Sequence, residues 1–151
     1  MQNIVNKEAI ERAGEIVMQN TGGETCCVLA LIDENGFPTA STITAAKADG
    51  INWITFCTGL ESNKAKRIKK CGRAGVCFNA GGNFNITLAG TIEILTDSEI
   101  KREMWYDGLA NHFTGPEDPN YCVLRFRTER YILFVDWQTE VEGVFTGSAA
   151  I

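Results

Sequence analysis

The stretch Thr25-Cys26-Cys27-Val28-Leu29-Ala30-Leu31-Ile32-Asp33-Glu34-Asn35-Gly36 decides the fold class. Its β-branched and aliphatic first part predicts a strand over residues 25–33. The Asn-Gly pair favours a hairpin turn with positive φ at both central positions. A return strand over 37–46, a turn at 47–50 and a third strand over 51–58 follow. Because these connections are too short for crossover helices, the strands are predicted to be antiparallel.

The rest of the chain adds helices and further strands. Gly90, inside a long strand pattern, indicates a bulge or a close approach of another backbone. The tail from Val141 is expected to be loose. We predict a mainly β protein with helices: an antiparallel β-barrel of six to seven strands with flanking helices, in one domain over residues 1–151. The further predicted strands cover 73–79, 84–95, 121–126 and 130–137, and the predicted helices cover 7–20, 62–71 and 98–110.

Charge and hydropathy limit the partners. The chain of 151 residues carries a net charge of −5, which argues against a nucleic-acid binder. Basic residues are concentrated in 64–73, which suits one small anionic ligand better than a polymer. No apolar stretch is long enough to span a bilayer, and the N-terminus does not have the pattern of a signal peptide. We therefore expect a cytoplasmic protein with no membrane partner.

The cysteines and the single histidine give little support to a metal site. Six cysteines occur without a C-x-x-C pair, and His112 is the only histidine. Reduced, mostly buried thiols are the better interpretation, and no metal is expected. One histidine without a partner defines no catalytic arrangement, and Asp118 is interpreted as a turn or helix cap rather than a base. No catalytic residue is assigned.

A strand followed by a basic helix forms a candidate anion site. The strand ends at Thr58, and a helix is predicted to begin about four residues later. Ser62 and Lys64 then lie in the first helical turn, where unpaired backbone N–H groups attract a phosphate. The alternative is that Ser62 only caps the helix and Lys64 is a solvated surface charge. The hydroxyl-bearing strand face with Ser41, Thr42 and Thr44 lines either solvent or a polar ligand.

The order and spacing of several motifs carry a resemblance to a known family. They are the hairpin Ala30–Pro38, the stretch Phe56-x-Thr58-x-x-x-Ser62-x-Lys64, the strand Ala74–Phe78 and the run Leu88–Ile92 before an acidic helix start, extended by Met104-Trp105 and Asp118-Pro119. Over residues 5–137 the chain resembles the FMN-binding split-barrel flavoproteins similar to pyridoxamine 5′-phosphate oxidase, within them the general-stress-protein branch.

The resemblance implies a homodimer with FMN near the subunit interface. Thr58, Ser62, Asn63 and Lys64 are the positions that it implies for the flavin phosphate and ribityl chain. It also implies that Thr42, Ile43 and Thr44 lie beside the isoalloxazine ring with Lys47 nearby, and that the amide of Asn85 reaches the flavin. The implied activity is that of an FMN-dependent oxidoreductase acting on an unidentified small molecule.

The chain departs from the oxidase itself at three places. Thr42 and Asn63 stand where the oxidase carries basic residues, and Val135-Asp136-Trp137-Gln138 does not supply its substrate-binding Arg-x-His. Pyridoxamine phosphate oxidation is therefore not expected. Two alternatives stay open: a flavin-binding stress or sensing protein without turnover, and a cofactor-free split-barrel dimer that acts by protein contact. The sequence does not distinguish FMN from a deazaflavin or haem.

Overall fold

The computed structural model describes residues 4–23 and 25–146. Within this part of the chain the fold has three α-helices, one short 3₁₀ helix at Asp107–Asn111 and eight β-strands. The helices are α1 (Ile4–Gln19), α2 (Asn63–Lys70) and α3 (Ser98–Met104). The strands are β1 (Cys27–Ile32), β2 (Pro38–Ile43), β3 (Ala45–Asp49), β4 (Trp53–Gly59), β5 (Arg73–Asn79), β6 (Phe84–Leu95), β7 (Tyr121–Val135) and β8 (Val141–Val144).

The strands form one antiparallel sheet that closes on itself. Its order is β2-β1-β5-β6-β7-β4-β3, with β8 paired to β7. The two end strands, β2 and β3, are consecutive in sequence and only Thr44 separates them. The chain itself therefore joins the two edges of the sheet, and the fold is a split barrel with flanking helices. The predicted fold class is confirmed.

Side-chain alternation separates a buried inner face from an outer face. In β1 the residues Cys27, Leu29 and Leu31 are buried, and the residues between them are partly exposed. Helix α1 adds Ala13 and Val17 to the same hydrophobic core. Helix α2 adds Ala65 and Ile68, which are its two buried residues. The apolar stripes of both helices thus cover the barrel interior, because burying them removes apolar surface from water.

A second cluster covers the outer face of β4 and β7. Met104 of α3 and Leu109 of the 3₁₀ helix pack with Tyr121 and Val123. The Tyr121 hydroxyl donates a hydrogen bond of 2.8 Å to the Lys101 carbonyl, which satisfies it inside the cluster. This side of the sheet is therefore closed by the segment 98–113.

The last long strand differs from the prediction of two strands separated by a turn near residue 128. Residues 121–135 form a single strand, β7, that pairs with β6 from Val123 to Val135. The register shifts where Ala89 faces Arg130 and Gly90 faces Thr128, so one extra residue of β7 is accommodated as a bulge. A Cβ on Gly90 would lie 1.9 Å from the Arg127 carbonyl oxygen. The close approach of another backbone that was expected at Gly90 is confirmed. A bulge is present where a turn near residue 128 was predicted.

The other strand predictions need four corrections. Positive φ occurs at Gly36 but not at Asn35, because both Asn35 and Phe37 N–H groups bond to the Asp33 side chain. The predicted strand 37–46 breaks at Thr44, where the chain passes from one sheet edge to the other. The predicted turn 47–50 is mostly β3, and the chain turns at Gly50 with φ +55.

The fourth correction concerns the tail. Val141–Val144 is not loose but forms β8, because it continues the ladder along the exposed edge of β7. Residues 147–151 of the predicted tail lie outside the described residues. The helix predicted over 98–110 is also divided: α3 ends at Met104, and Trp105 has an extended backbone with ψ 139 before the 3₁₀ helix.

Candidate functional site

The junction between β4 and α2 is built around Ser62. Its backbone is extended, with φ −69 and ψ 156, as is usual for a residue that precedes a helix. Its Oγ accepts a hydrogen bond of 3.1 Å from the Ala65 backbone N–H. The Ser62 carbonyl accepts the bond from the Lys66 N–H, also at 3.1 Å. Ser62 is therefore the N-cap of α2, as the simpler interpretation requires.

The capping hydrogen bonds leave some donors at the N-terminus of α2 available to an anion. Among the described residues, the backbone N–H groups of Asn63 and Lys64 have no hydrogen-bond acceptor. The Ser62 hydroxyl accepts from Ala65 and keeps its own proton for donation. Two free amides and one hydroxyl therefore lie at the positive end of the helix, in the same first turn as Lys64. Capping and anion binding by Ser62 are compatible.

The basic residues of α2 occupy more than one face. Asn63, Lys66, Arg67 and Lys70 line a hollow of about 470 Å³ together with Lys69 and Glu34. Glu34 offers the only carboxylate there, with its Oε2 3.8 Å from the Arg67 Nε. Lys64 does not line this hollow. It sits four residues before the buried Ile68 on the helix, so its side chain emerges on a separate side.

The candidate ring-contacting residues lie on β2 and β3. Thr42 faces Val28 across the β1–β2 ladder, so it is on the outer face. Ile43 faces Cys27 and packs against the core, so only its backbone is available from outside. Thr44 lies 3.9 Å from the exposed Cys26, measured from Oγ1 to Sγ. Lys47 is exposed on β3.

The closure of the barrel brings this group beside β4. Ala45 pairs with Phe56, and Thr44 comes directly before Ala45. Thr44 is therefore next to the Cys57–Thr58 end of β4, and Ser62 follows Thr58 by four residues. The structure thus places Thr44 beside the end of β4, the strand that leads to the N-terminus of α2.

Asn85 lies apart from these residues. Thr42 pairs across to Val28, Val28 to Cys77 and Cys77 to Thr87, which places three strand spacings, about 14 Å, between β2 and β6. The Cys77 thiol donates to the Asn85 Oδ1 at 3.2 Å. A ligand that touches Thr42 and Asn85 of one chain must lie across several strands; otherwise Asn85 comes from a second copy.

Three thiols, those of the buried Cys27 and Cys122 and of the partly buried Cys57, are held in the protonated form. Burial raises the pKa of Cys27 to about 12 and that of Cys122 to about 11. Burial also raises the pKa of Cys57 to about 11, although a hydrogen bond with Tyr121 lowers it in part. Cys26, in contrast, is exposed. Cys27, Cys57 and Cys122 therefore behave as small apolar groups rather than nucleophiles at neutral pH.

His112 and Asp118 both take part in structural contacts. The His112 ring contacts Phe113 edge-on, with 6.4 Å between ring centroids. The Asp118 carboxylate accepts hydrogen bonds from the Thr114 and Asn120 backbone N–H groups. The bond from Thr114 is the largest cause that lowers the pKa of Asp118. Within the described residues, no three His, Cys, Asp or Glu side chains are grouped closely enough to hold a metal ion.

The outer face of β1, β5, β6 and β7 stays exposed in the single chain. It carries small and apolar residues, among them Ala89 and Ile132, with Ile132 38% exposed. A hollow of about 460 Å³ lies on it, lined by Thr87, Ala89, Arg130, Ile132 and Val144 among others. A flat face of this composition is suited to contact with another protein surface.

Comparison with known families identifies the chain. The model of the pyridoxamine 5′-phosphate oxidase family matches residues 17–135, which include strands β1 to β7. The chain belongs to this family. No curated protein matches it by sequence.

Solved structures with the same fold come from proteins that are described with different roles. A Clostridium acetobutylicum protein related to general stress protein 26 is 24% identical, with 93% of this chain and 92% of that chain covered and a TM-score of 0.69. A Mycobacterium smegmatis haem-binding protein is 19% identical over 90% of this chain and 57% of its own, with a TM-score of 0.71. A Nostoc punctiforme FMN-binding protein related to the oxidase is 18% identical over 95% of both chains, with a TM-score of 0.55.

Two features of this family member are not predicted by its sequence. One is the exposed outer sheet face, which becomes recognisable only when ladder partners are known. The other is a strained turn at Asp136 and Trp137, which have φ of 52 and 60. Trp137 is recognisable in the sequence as an aromatic residue, but nothing local predicts this backbone conformation.

No helix among residues 4–23 and 25–146 is both long and apolar enough to cross a membrane.

Proposed function

We propose that this protein is an FMN-binding flavoprotein that transfers electrons or hydride between the flavin and a small molecule. Membership of the pyridoxamine 5′-phosphate oxidase family supports this function. A similar structure from Nostoc punctiforme is described as FMN-binding, which supports the choice of cofactor. The observation that carries the proposal is the N-terminus of α2, where the Asn63 and Lys64 N–H groups have no acceptor among the described residues.

The phosphate would be held by Ser62, Asn63 and Lys64. The two free backbone N–H groups and the Ser62 hydroxyl supply neutral donors, and the Lys64 ammonium supplies the charge. Thr58, the residue before the last one of β4, lies four residues before Ser62 and would add a hydroxyl toward the ribityl chain. Because Asn63 is not basic, Lys64 would supply more of the electrostatic attraction to the phosphate than it would with a second cation at position 63.

The ring would lie along β2 and across a subunit boundary. Thr42, Thr44 and the backbone of Ile43 line one side, with Lys47 on the neighbouring strand. Asn85 is too far around the sheet to join them easily within one protomer, so a homodimer supplies it most simply from the second copy. The exposed apolar face with Ala89 and Ile132 provides the surface for that contact.

FMN, when bound, supplies the redox chemistry as a carrier of one or two electrons. The side chains of this chain would bind and orient the cofactor, and they would exclude water from it. Cys27, Cys57 and Cys122 do not serve as bases, because burial keeps their pKa values raised to about 11 or 12. No side chain of the chain is assigned as a catalytic acid, and the reaction needs none if the substrate exchanges electrons directly with the ring.

The first test is an FMN titration of the purified protein followed by its absorption spectrum. The wild-type protein is expected to bind about one FMN per protomer. Lys64→Ala should weaken binding about tenfold, because it removes a charged donor from the phosphate. Lys69→Ala is the matched control, since it removes an exposed ammonium near the C-terminal end of the same helix, away from Ser62 and Lys64. Haemin is titrated in parallel because a similar structure binds haem.

The outcomes separate the three functions. A colourless protein that ignores added FMN contradicts the flavoprotein proposal and favours the dimer that acts by protein contact. Bound FMN without oxidation of a reduced nicotinamide in the presence of an acceptor favours a storage or sensing role. Equal losses in Lys64→Ala and Lys69→Ala would contradict the phosphate site and leave only a general charge effect.

A further inference from the structure

The connection between β4 and α2 consists of three residues, Leu60, Glu61 and Ser62, and it leads directly into the anion site. The Ser62 N–H donates to the Gly59 carbonyl at 3.0 Å, which closes a turn within the connection. The N–H groups of Leu60 and Glu61 both donate to Asn120 instead. The conformation of the connection therefore depends on a residue that follows Glu61 by 59 positions in the chain.

Asn120 holds the connection with its backbone and with its side chain. Its carbonyl accepts the Leu60 N–H at 2.7 Å, and its Oδ1 accepts the Glu61 N–H at 3.3 Å. Its Nδ2 lies against Gly59, where a Cβ would come within 2.9 Å of it. The glycine at the end of β4 therefore admits the Asn120 carboxamide, and a larger residue there would displace it.

Asn120 is itself held in place by Asp118. The Asp118 Oδ1 accepts the Asn120 N–H at 2.9 Å, and its Oδ2 accepts the Thr114 N–H at 3.0 Å. The Asp118 carbonyl accepts a bond of 3.0 Å from the Nζ of Lys101, which is 8% exposed. Helix α3, through Lys101, thus supports the segment that supplies Asn120, although Asn120 is exposed.

We propose that Asn120 is a positioning residue for the anion site at the N-terminus of α2. It fixes the Glu61 peptide, and through it the direction of the Asn63 and Lys64 N–H groups. Asn120 does not contact the ligand in this role. It raises the affinity because a segment that is already held in its binding conformation pays no ordering cost when the anion binds. The inference rests on the proposed function for the identity of that anion, the phosphate of FMN.

The first test compares FMN with riboflavin, which has the same ring but no phosphate. Asn120→Ala should weaken FMN binding about threefold to tenfold, because one hydrogen bond that orders the connection is lost. Riboflavin should bind the variant as it binds the wild type. The backbone bond from Leu60 remains and Asn120 is exposed, so the variant is expected to fold.

The matched control is Asn111→Ala. Asn111 is also an exposed asparagine, at the C-terminal end of the 3₁₀ helix, and its removal leaves both bonds of Asn120 to the connection in place. FMN should bind this variant as it binds the wild type. Calorimetry on the full chain measures each affinity, and the thermal midpoint of each variant is recorded in parallel.

Gly59→Ala reaches the same carboxamide from the other side. Its Cβ displaces the Asn120 side chain, so it should weaken FMN binding to about the same extent as Asn120→Ala. In the double variant, Gly59→Ala should cause no further loss, because the carboxamide that it displaces is already absent. Additive losses in the double variant would overturn the proposal.

Inorganic phosphate separates this proposal from the flavoprotein proposal. Phosphate should shift the amide resonances of Asn63 and Lys64 in NMR spectra of the wild type, and Asn120→Ala should need a higher concentration. If the wild type shows these shifts but ignores FMN, the flavoprotein proposal fails and the positioning role stands.

Three results would overturn the positioning role. The first is a wild type whose Asn63 and Lys64 amides do not respond to phosphate. The second is an Asn120→Ala variant that binds phosphate as tightly as the wild type. The third is an equal loss of FMN and riboflavin in Asn120→Ala, which would show a general structural effect rather than an effect on the anion site.

Discussion

Ser62 shows how one side chain serves both stability and ligand binding. Its oxygen accepts the Ala65 N–H at 3.1 Å, and its proton stays available to an anion. The sequence alone predicted both roles, because cap preference and the first helical turn are local properties. It could not decide between them, since the free N–H groups beside the cap are seen only when every acceptor is located.

Substitutions at Ser62 can separate the two roles. Ser62→Ala should lower the free energy of unfolding by about 1 kcal/mol, because the cap is lost. Ser62→Asp should keep the cap, since a carboxylate accepts the same N–H and is favoured at a helix N-terminus. Its charge should nevertheless repel the FMN phosphate. Urea unfolding and FMN titration of both variants check this, and tight FMN binding by Ser62→Asp would contradict a phosphate at this position.

Trp137 marks the limit of prediction from sequence at the residue scale. Its exposure is a common property of surface residues, but its positive φ depends on Arg12, which contacts Asp136 across 124 positions of the chain. No local pattern contains that information. Thr42 and Thr44 were ambiguous for a similar reason, because their surroundings depend on the closure of the barrel.

At the scale of elements, the pairing of β6 with β7 explains why one strand was predicted as two. The polar residues near Thr128 have the composition of a turn, but tertiary pairing overrides that local preference. The extra residue is absorbed opposite Gly90, whose missing side chain admits the Arg127 carbonyl. The glycine was read correctly from sequence, because a glycine within a strand already indicates a close approach.

Replacing Gly90 should therefore destabilise the fold strongly. A Cβ would come within 1.9 Å of backbone oxygen, so the two central strands must separate. We expect Gly90→Ala to lower the free energy of unfolding by about 2–4 kcal/mol. Gly81→Ala is the control, because Gly81 has φ +54 and no atom near the new Cβ, and it should cost only about 1 kcal/mol. Equal losses in urea unfolding would show that steric contact at Gly90 is not the cause.

At the scale of the whole molecule, the sequence was sufficient to predict the barrel but insufficient to predict its exposed outer face. Short connections between strands excluded a parallel sheet, and hydrophobic periodicity defined the inner face. The exposed outer face depends on which residues pair across strands, so it becomes recognisable only when the sheet order is known. The proposed homodimer is therefore argued from this face rather than from a sequence motif.

The dimer can be tested by placing a charge on the outer face. Ala89→Arg should shift the protein from dimer to monomer, because a buried unpaired guanidinium in the interface is costly. Ala89 is exposed in the single chain, so the monomer should still fold. Ala110→Arg, at an exposed alanine of the 3₁₀ helix, is the matched control and should remain dimeric. Sedimentation velocity measures both, and a dimeric Ala89→Arg would contradict this interface.

The connection through Thr44 has a consequence for the motions of the barrel. Only one residue connects β2 to β3, so neither edge strand can move far from the sheet without displacing the other. The backbone amides of the two strands should therefore exchange with deuterated solvent as one cooperative unit, although the strands lie at opposite ends of the hydrogen-bond order. A molecule bound beside this connection would slow the opening of both strands at once.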